Sequence, residues 1–252
     1  MSTAILSALP EEQVGLLPAL DGVQTHRHAG RIFWEGHLHG QPVVLALSGI
    51  GKVAAATTAT ALIERFGVRR IVFTGVAGGV GPGVRVGDLV VAKHYVQHDM
   101  DASPLFPRWE VPGYAGARLD CDGHLSALLV RAAAAGLQGL VEQRSAQAQD
   151  LASHRPQVHH GLMASGDRFV ATAQAARQLT QELGAAGHPV LAVEMEGAAV
   201  AQVCVDYGVP FAAVRTISDR ADEDAPIDFL QFVRTVASPY AEHVVRRLLS
   251  ML

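Results

Sequence analysis

Short runs of β-branched and aliphatic residues alternate along the chain with longer amphipathic or alanine-rich stretches, the pattern of repeated βα units. Residues 4–8 predict a first strand, and Pro10 marks the start of a helix with Glu11 and Glu12 at its positive end. Residues 31–36 and 42–47 predict two strands joined by a turn around Gly40, and 53–66 predict a helix that Gly67 ends. A buried strand at 70–74 runs into the glycines Gly75, Gly78, Gly79, Gly81 and Gly83, and another strand is expected at 88–94. The stretch 98–118 holds Pro104, Pro107 and Pro112 with Phe106, Trp109 and Tyr114 between them, and reads as a long ordered loop. Beyond it come a helix at 125–135, a strand at 161–165, a helix at 172–183, a strand at 190–193, a helix at 197–207 and a strand at 211–217. A last amphipathic helix over 229–250 is expected to break near Pro239. Residues 139–160 are polar and Gln-rich without a firm period. No internal repeat or linker divides the chain. The predicted fold class is α/β: a single domain over 1–252, built as a three-layer sandwich with a central mixed, twisted sheet flanked by helices.

Composition narrows the chemistry. The 252 residues carry 20 Lys and Arg against 24 Asp and Glu, a net charge of −4, which argues against a nucleic-acid or anionic-membrane surface. With 49% hydrophobic and 17% charged residues the chain is not a disordered one. No apolar run reaches the ~18 residues of a spanning helix. The opening Met-Ser-Thr-Ala lacks a basic region, so no signal peptide is expected. The two cysteines, Cys121 and Cys204, suit free thiols in a reducing cytoplasm better than a disulfide framework.

Two glycine motifs sit where strands end. Ser48-Gly49-Ile50-Gly51-Lys52 follows a strand and opens a helix, but Ala46 and Val53 stand where a P-loop needs Gly and Ser or Thr. The spacing Gly49-x-Gly51-x-x-Ala54 matches a relaxed dinucleotide fingerprint, yet the next strand ends Phe73-Thr74-Gly75 with no carboxylate for a ribose. A tight turn accounts for these glycines better than a nicotinamide or flavin site does. The second motif, Thr74-Gly75-Val76-Ala77-Gly78-Gly79, lies at the carboxyl end of a buried strand, where ligands of open α/β sheets bind; a loop that merely needs positive φ is the other reading.

Carboxylates in apolar surroundings point to acid–base chemistry. Glu12 lies at a helix start, Glu194-Met195-Glu196 joins a strand to a small-residue helix, and Ser218-Asp219 ends a strand just after Arg215. Each has an ordinary structural reading as a helix-start acid, an N-cap or an ion pair. The sequence does not say whether Glu194 or Glu196 faces a pocket. No Ser/His/Asp order or cysteine nucleophile stands out, and the twelve histidines lack the spacing of a zinc motif.

Taken in order, the segments 8–12 (Ala-Leu-Pro-Glu-Glu), 48–54, 74–79, 86–88 (Val-Gly-Asp), Ser165-Gly166-Asp167-x-Phe169, 193–196 and 217–219 resemble the 5′-methylthioadenosine/S-adenosylhomocysteine nucleosidase family. That family lies within the purine nucleoside phosphorylase/uridine phosphorylase superfamily. The resemblance implies a nucleoside phosphorylase-like fold and hydrolysis of an N-glycosidic bond, releasing adenine and a 5′-thioribose, with no metal or organic cofactor. It implies Glu12 as general base toward the attacking water and Asp219 as the acid at adenine N7. Glu196 would bind the ribose hydroxyls, with Met195 against the sugar. Phe169 would stack on adenine, the Val170 backbone would meet the base edge, and Arg215 would support Glu12 and Glu196. Candidate substrate-binding residues also include Val76, Ala77, Gly78, Glu194 and Ser218. In relatives the loop corresponding to 98–118 builds the 5′-alkylthio pocket, often across a dimer interface. Phe106, Trp109 and Tyr114 are therefore candidates for that pocket, and a homodimer is expected.

Two departures stand out. Val76 replaces a serine common among relatives, so any hydrogen bond to water there must come from the backbone, and residues 139–160 add length without a role. Rival readings remain: a phosphorylase of the same fold, for which only Arg85 and Lys52 lie near the glycine loops; a hydrolase of another 5′-modified nucleoside such as futalosine; and a binding protein without chemistry.

Overall fold

The computed structural model describes residues 2–145, 155–220 and 229–252. Its first strand, β1 (Thr3–Ser7), shows why the core has two sides. All five residues are buried; Ala4 and Leu6 face one helical layer and Ile5 the other, as expected for a parallel strand covered on both faces. Along the chain follow β2 (Asp21–His28), β3 (Arg31–Leu38), β4 (Gln41–Leu47), α1 (Lys52–Glu64), β5 (Arg70–Gly79), β6 (Leu89–Gln97), β7 (Arg118–Asp120) and α2 (Gly123–Ser145). The second half continues with β8 (Val158–Ser165), α3 (Ala173–Ala185), β9 (Val190–Glu194), α4 (Gly197–Tyr207), β10 (Phe211–Asp219), α5 (Phe229–Phe232) and α6 (Ser238–Leu249).

The described strands form one mixed sheet in the order β10-β6-β8-β9-β5-β1-β4-β3-β2, with β7 on β6. Because β10 also pairs with β5, the strands β5, β10, β6, β8 and β9 close on themselves while β1, β4, β3 and β2 extend outward. Helices α1 and α4 pack on one face around Phe33, Phe73 and Tyr95, and α2 and α6 on the other around Leu45, Val72 and Leu89. This is the α/β three-layer architecture that the alternation predicts.

Several boundaries differ from the sequence reading for identifiable reasons. Strand β2 has no counterpart in it: Asp21–His28 is an edge strand exposed along nearly all its length, so no buried face imposes a period on its residues. The first glycines after residue 74 belong to β5, which pairs through Ile217 and Asp219 on one side and Val193 on the other. The helix at 125–135 runs to Ser145, and the strand at 161–165 begins at Val158; residues 146–154 of the polar segment lie outside the described residues. Near Pro239 the final helix is broken as the sequence indicates, by a π-helical stretch at Val233–Ala237 just before the proline, which has no N–H to donate.

Helix α3 begins at Thr172, whose Oγ1 accepts the Ala175 N–H at 3.2 Å. Replacing Thr172 by Ala is expected to cost about 1 kcal/mol and to lower Tm by about 2–4 °C for a chain of this size. A thermal melt decides it, and an unchanged Tm shows the cap to be idle.

Candidate active site

Three polypeptide junctions meet where β5 and β10 end. Pro10 opens a single 3-10 turn, Pro10–Gln13, which follows β1 and turns Glu12 back over the strand ends. One Glu12 oxygen accepts the N–H groups of Ala8 (2.7 Å) and Leu9 (2.9 Å), and the other accepts the Val76 N–H at 3.0 Å. Glu12 is buried, and that burial raises its pKa despite the opposing pull of Arg215 and of the three N–H groups. Val76 thus contributes its backbone N–H, and Glu12 takes it.

Gly75 makes this approach possible. A Cβ there would stand 2.6 Å from both Glu12 Oε1 and Arg215 Nη1, and its φ is +154°. The glycine motif therefore serves close backbone approach within a strand, not a loop reversal.

The Glu-Met-Glu triplet divides its labour at the start of α4. Gly197 lies against the Tyr95 ring so closely that a Cβ would collide with it, which pins the helix start to the sheet. Glu194, ending β9, accepts the Arg215 Nη2 at 2.5 Å, the Gly197 N–H at 2.9 Å and the Ser165 hydroxyl. Glu196, at the N-cap of α4, accepts the Gly51 N–H at 2.9 Å and lies 4.0 Å from Arg215. Burial, reinforced by the neighbouring Glu194 and opposed by Arg215, pushes its pKa up to about 7.

Arg215 is 1% exposed and sits over the Phe73 ring at 3.9 Å, with Nη1 donating to the Thr74 carbonyl at 2.9 Å. Its close carboxylate partner is Glu194. Besides Glu12 and Glu196, which it was expected to support and which it meets through its charge and at 4.0 Å respectively, it thus has this closer partner. Nor does Arg215 line the cavity; it lies behind it.

That cavity holds about 750 Å³, open mouth included. Glu12, Glu196 and Asp219 all line it, together with Val76, Ala77, Gly78, Phe169, Val170, Glu194, Met195 and Ser218. Asp219 ends β10 beside Gly78, is 9% exposed, and accepts the Ser218 hydroxyl at 2.7 Å. Sequence reasoning missed Ala8, Leu9, Ile50, Arg168, Val193 and Phe229 in the lining. Ile50 carried a signal, because a large apolar residue between two glycines in a turn, here 60% exposed, has no packing reason to be there.

Within one chain Phe106, Trp109 and Tyr114 do not line the cavity; the expectation placed their loop at a 5′ pocket shared across a dimer interface. Trp109 is buried beside Val96 and Val170 with Nε1 donating to the His98 carbonyl at 3.1 Å; Tyr114 bonds to Asp206; Phe106 faces solvent. These short-range contacts hold the loop ordered, as its prolines and aromatics suggest. Cys121 and Cys204 are free and buried. Among the described residues no three His, Cys, Asp or Glu gather as a metal-binding group, and no helix is long and apolar enough to cross a membrane.

A family model described as the phosphorylase superfamily matches residues 2–250. The chain is 37% identical over 249 residues to the 5′-methylthioadenosine/S-adenosylhomocysteine nucleosidase of Chromohalobacter salexigens, covering 97% of each chain. It is 38% identical to that of Geobacillus kaustophilus, covering 98% of this chain and 97% of the relative. Among solved structures, the Neisseria meningitidis nucleosidase in complex with methylthio-immucillin-A superposes with a TM-score of 0.84 at 33% identity, covering 100% of this chain and 99% of the other. A Helicobacter pylori futalosine hydrolase superposes with 0.82 at 32% identity, covering 100% and 98%. The chain belongs to the 5′-methylthioadenosine/S-adenosylhomocysteine nucleosidase family of the phosphorylase superfamily.

The raised pKa of Glu196 has a measurable sign. Its carboxyl holds a proton more tightly in the folded chain than in the unfolded one, so its contribution to stability is full below pH 4.5 and is lost as pH rises through about 7. Glu196→Gln keeps an acceptor for Gly51 and removes the titration. Melting curves of the ligand-free proteins should show the parent losing Tm relative to this variant between pH 4.5 and 7, and parallel pH profiles would refute the shift.

Proposed function

We propose that this chain hydrolyses the N-glycosidic bond of 5′-methylthioadenosine and S-adenosylhomocysteine, releasing adenine and the 5′-thioribose. The observation that carries this reading is the convergence of Glu12, Glu196 and Asp219 on one cavity beside Phe169 and Met195. Breaking the bond builds positive charge on the sugar and negative charge on the base. Carboxylates stabilise the first more in the transition state than in the substrate. Glu196 takes the ribose hydroxyls, while Met195 packs on the sugar. Glu12, its basicity raised by burial, accepts the proton of the attacking water. Asp219 donates to adenine N7 as the base leaves, Phe169 covers the ring, and the Val170 backbone meets its edge. Arg215 and Glu194 act behind the cavity by fixing where the other carboxylates stand.

Water fits this site better than phosphate does. Lys52, near enough in sequence to be a phosphate ligand, has its ammonium on Asp99 at 2.7 Å and Gln97 at 3.0 Å. Arg85 does not line the cavity, and among the described residues Arg168 is the cation that does. Leu9, Ile50 and Phe229 supply the apolar lining that a 5′-alkylthio group requires. The likeness to a futalosine hydrolase keeps a second 5′-modified nucleoside in view, and a substrate panel separates the two.

Residues 1–252 would act as one nucleosidase domain, working as a homodimer in the cytoplasm, where buried free thiols stay reduced. The exposed apolar residues Ile50, Val53, Leu105 and Phe106 suit cover by a second copy, which would bring the partner's loop toward the mouth.

Asp219→Asn should bind the nucleoside yet lose about 10²–10⁴ of turnover, read as adenine release by ultraviolet difference. Turnover near the parent's would remove Asp219 from the mechanism, and a strict need for phosphate in the parent would overturn hydrolysis.

A further inference from the structure

Two irregular segments frame opposite sides of the cavity. The turn 48–52 carries Ile50 into the lining and gives its Gly51 N–H to Glu196. The loop 166–170 carries Arg168, Phe169 and Val170. The turn runs into α1 at Lys52, and the loop is tied to β9 by the Gly166 N–H on the Glu194 carbonyl, while side chains join the two segments to each other.

Two carboxylates span the gap, Asp167 directly and Asp99 through Lys52. Asp99 lies just past the end of β6. Its Oδ1 accepts the Lys52 ammonium at 2.7 Å, and its Oδ2 accepts the Asp167 N–H at 2.8 Å. Asp167 closes the ring by accepting the Lys52 N–H on Oδ1 at 2.7 Å. The ammonium also donates to Gln97 at 3.0 Å, and Gln97 donates to Gln202 of α4, the helix that Glu196 begins, at 2.9 Å. The chain backbone is shaped to admit this ring. Gly51 has φ +96°, and a Cβ there would stand 3.0 Å from Asp167 Oδ1. Although burial opposes it, the bonds from Lys52 and Asp167 hold the Asp99 carboxyl below its ordinary pKa.

We propose that Asp99, through Lys52 and Asp167, is a positioning residue that clasps the sugar-side turn to the base-side loop and so sets the width of the nucleoside site. The proposal rests on the nucleosidase reading for its kinetic consequence only. The clasp touches no reacting atom. It holds Ile50, the Gly51 N–H on Glu196 and the Phe169 loop, which meet substrate and transition state alike, so its loss is felt in KM more than in kcat. As an ion pair with side chains 18% and 29% exposed it adds little to stability, so unfolding does not stand in for the effect.

The test uses Asp99→Ala, Lys52→Met and Lys52→Arg in the full chain. For methylthioadenosine, Asp99→Ala and Lys52→Met should each raise KM about tenfold with kcat changed less than about threefold, and Lys52→Arg should recover most of the loss. The double variant should be no worse than the single ones, because both break the same link. KM within about twofold of the parent's, or effects that multiply, would overturn the clasp. Amide hydrogen exchange judges it without turnover. In Asp99→Ala the segments 48–53 and 165–171 should lose protection together, and loss in one alone or in neither overturns the proposal. A parent chain that releases no base from any nucleoside defeats the nucleosidase reading, while the exchange result still decides the clasp.

Discussion

The site depends on one buried guanidinium. Arg215 lies among Glu194, Glu196 and Glu12, with a short pair to the first and its charge felt by the others. Carboxylates crowded out of water repel each other and are poorly solvated, and removing the cation from such a cluster typically costs about 3–5 kcal/mol. The strands are arranged around this need. β5 carries Gly75 at the point where Arg215 and Glu12 come close, β10 carries Arg215 in its buried middle, and β9 delivers Glu194 to it. The closure of β10 onto β5 puts the three strand ends side by side, which an open sheet with those strands apart would not do.

Charge balance then separates the carboxylates by role. Glu194 receives the direct guanidinium bond along with hydrogen bonds from Ser165 and Gly197. Glu196 and Glu12 receive backbone N–H groups and only a share of the field, and burial raises both pKa values. Pushing neighbouring titratable groups apart is how a single fold supplies acids and bases at neutral pH. A carboxylate that is costly to ionise in the empty site is well suited to a cationic sugar, because the charge that forms there stabilises it.

Much of this was legible in the sequence, and the remainder was hidden for physical reasons. Glu12, Glu196 and Asp219 each have an ordinary structural reading in isolation, and it was the ordered set of motifs and its resemblance to a family that singled them out. The division of the Glu-Met-Glu triplet could not be read, since a strand turning into a helix breaks the alternation that would assign faces. That Glu194 is the nearest partner of Arg215, beside the Glu12 and Glu196 it was expected to support, depends on the register of β10 against β5 and on where β9 ends, which no motif states. Strand β2 escaped notice because an exposed edge needs no hydrophobic period. Phe106, Trp109 and Tyr114 share the loop that the resemblance assigns to the 5′ pocket, and in this chain one packs inward, one bonds to α4 and one faces solvent. Sequence spacing in a loop carries no direction.

The choice between water and phosphate as the attacking partner follows from where the cations stand. A phosphate dianion needs fixed positive groups in the cavity. Here the buried cation, Arg215, is matched to Glu194, and the ammonium of Lys52 is held by Asp99 and Gln97. The turn that could have cradled an anion instead offers its Gly51 N–H to Glu196 and its Lys52 N–H to Asp167. Arg215, the Lys52 ammonium and the N–H groups of this turn are thus already committed within the chain itself, which leaves Arg168 as the cation lining the cavity among the described residues. An uncharged water needs none of them. It needs a basic oxygen within reach, and Glu12, whose pKa burial raises, lines the cavity.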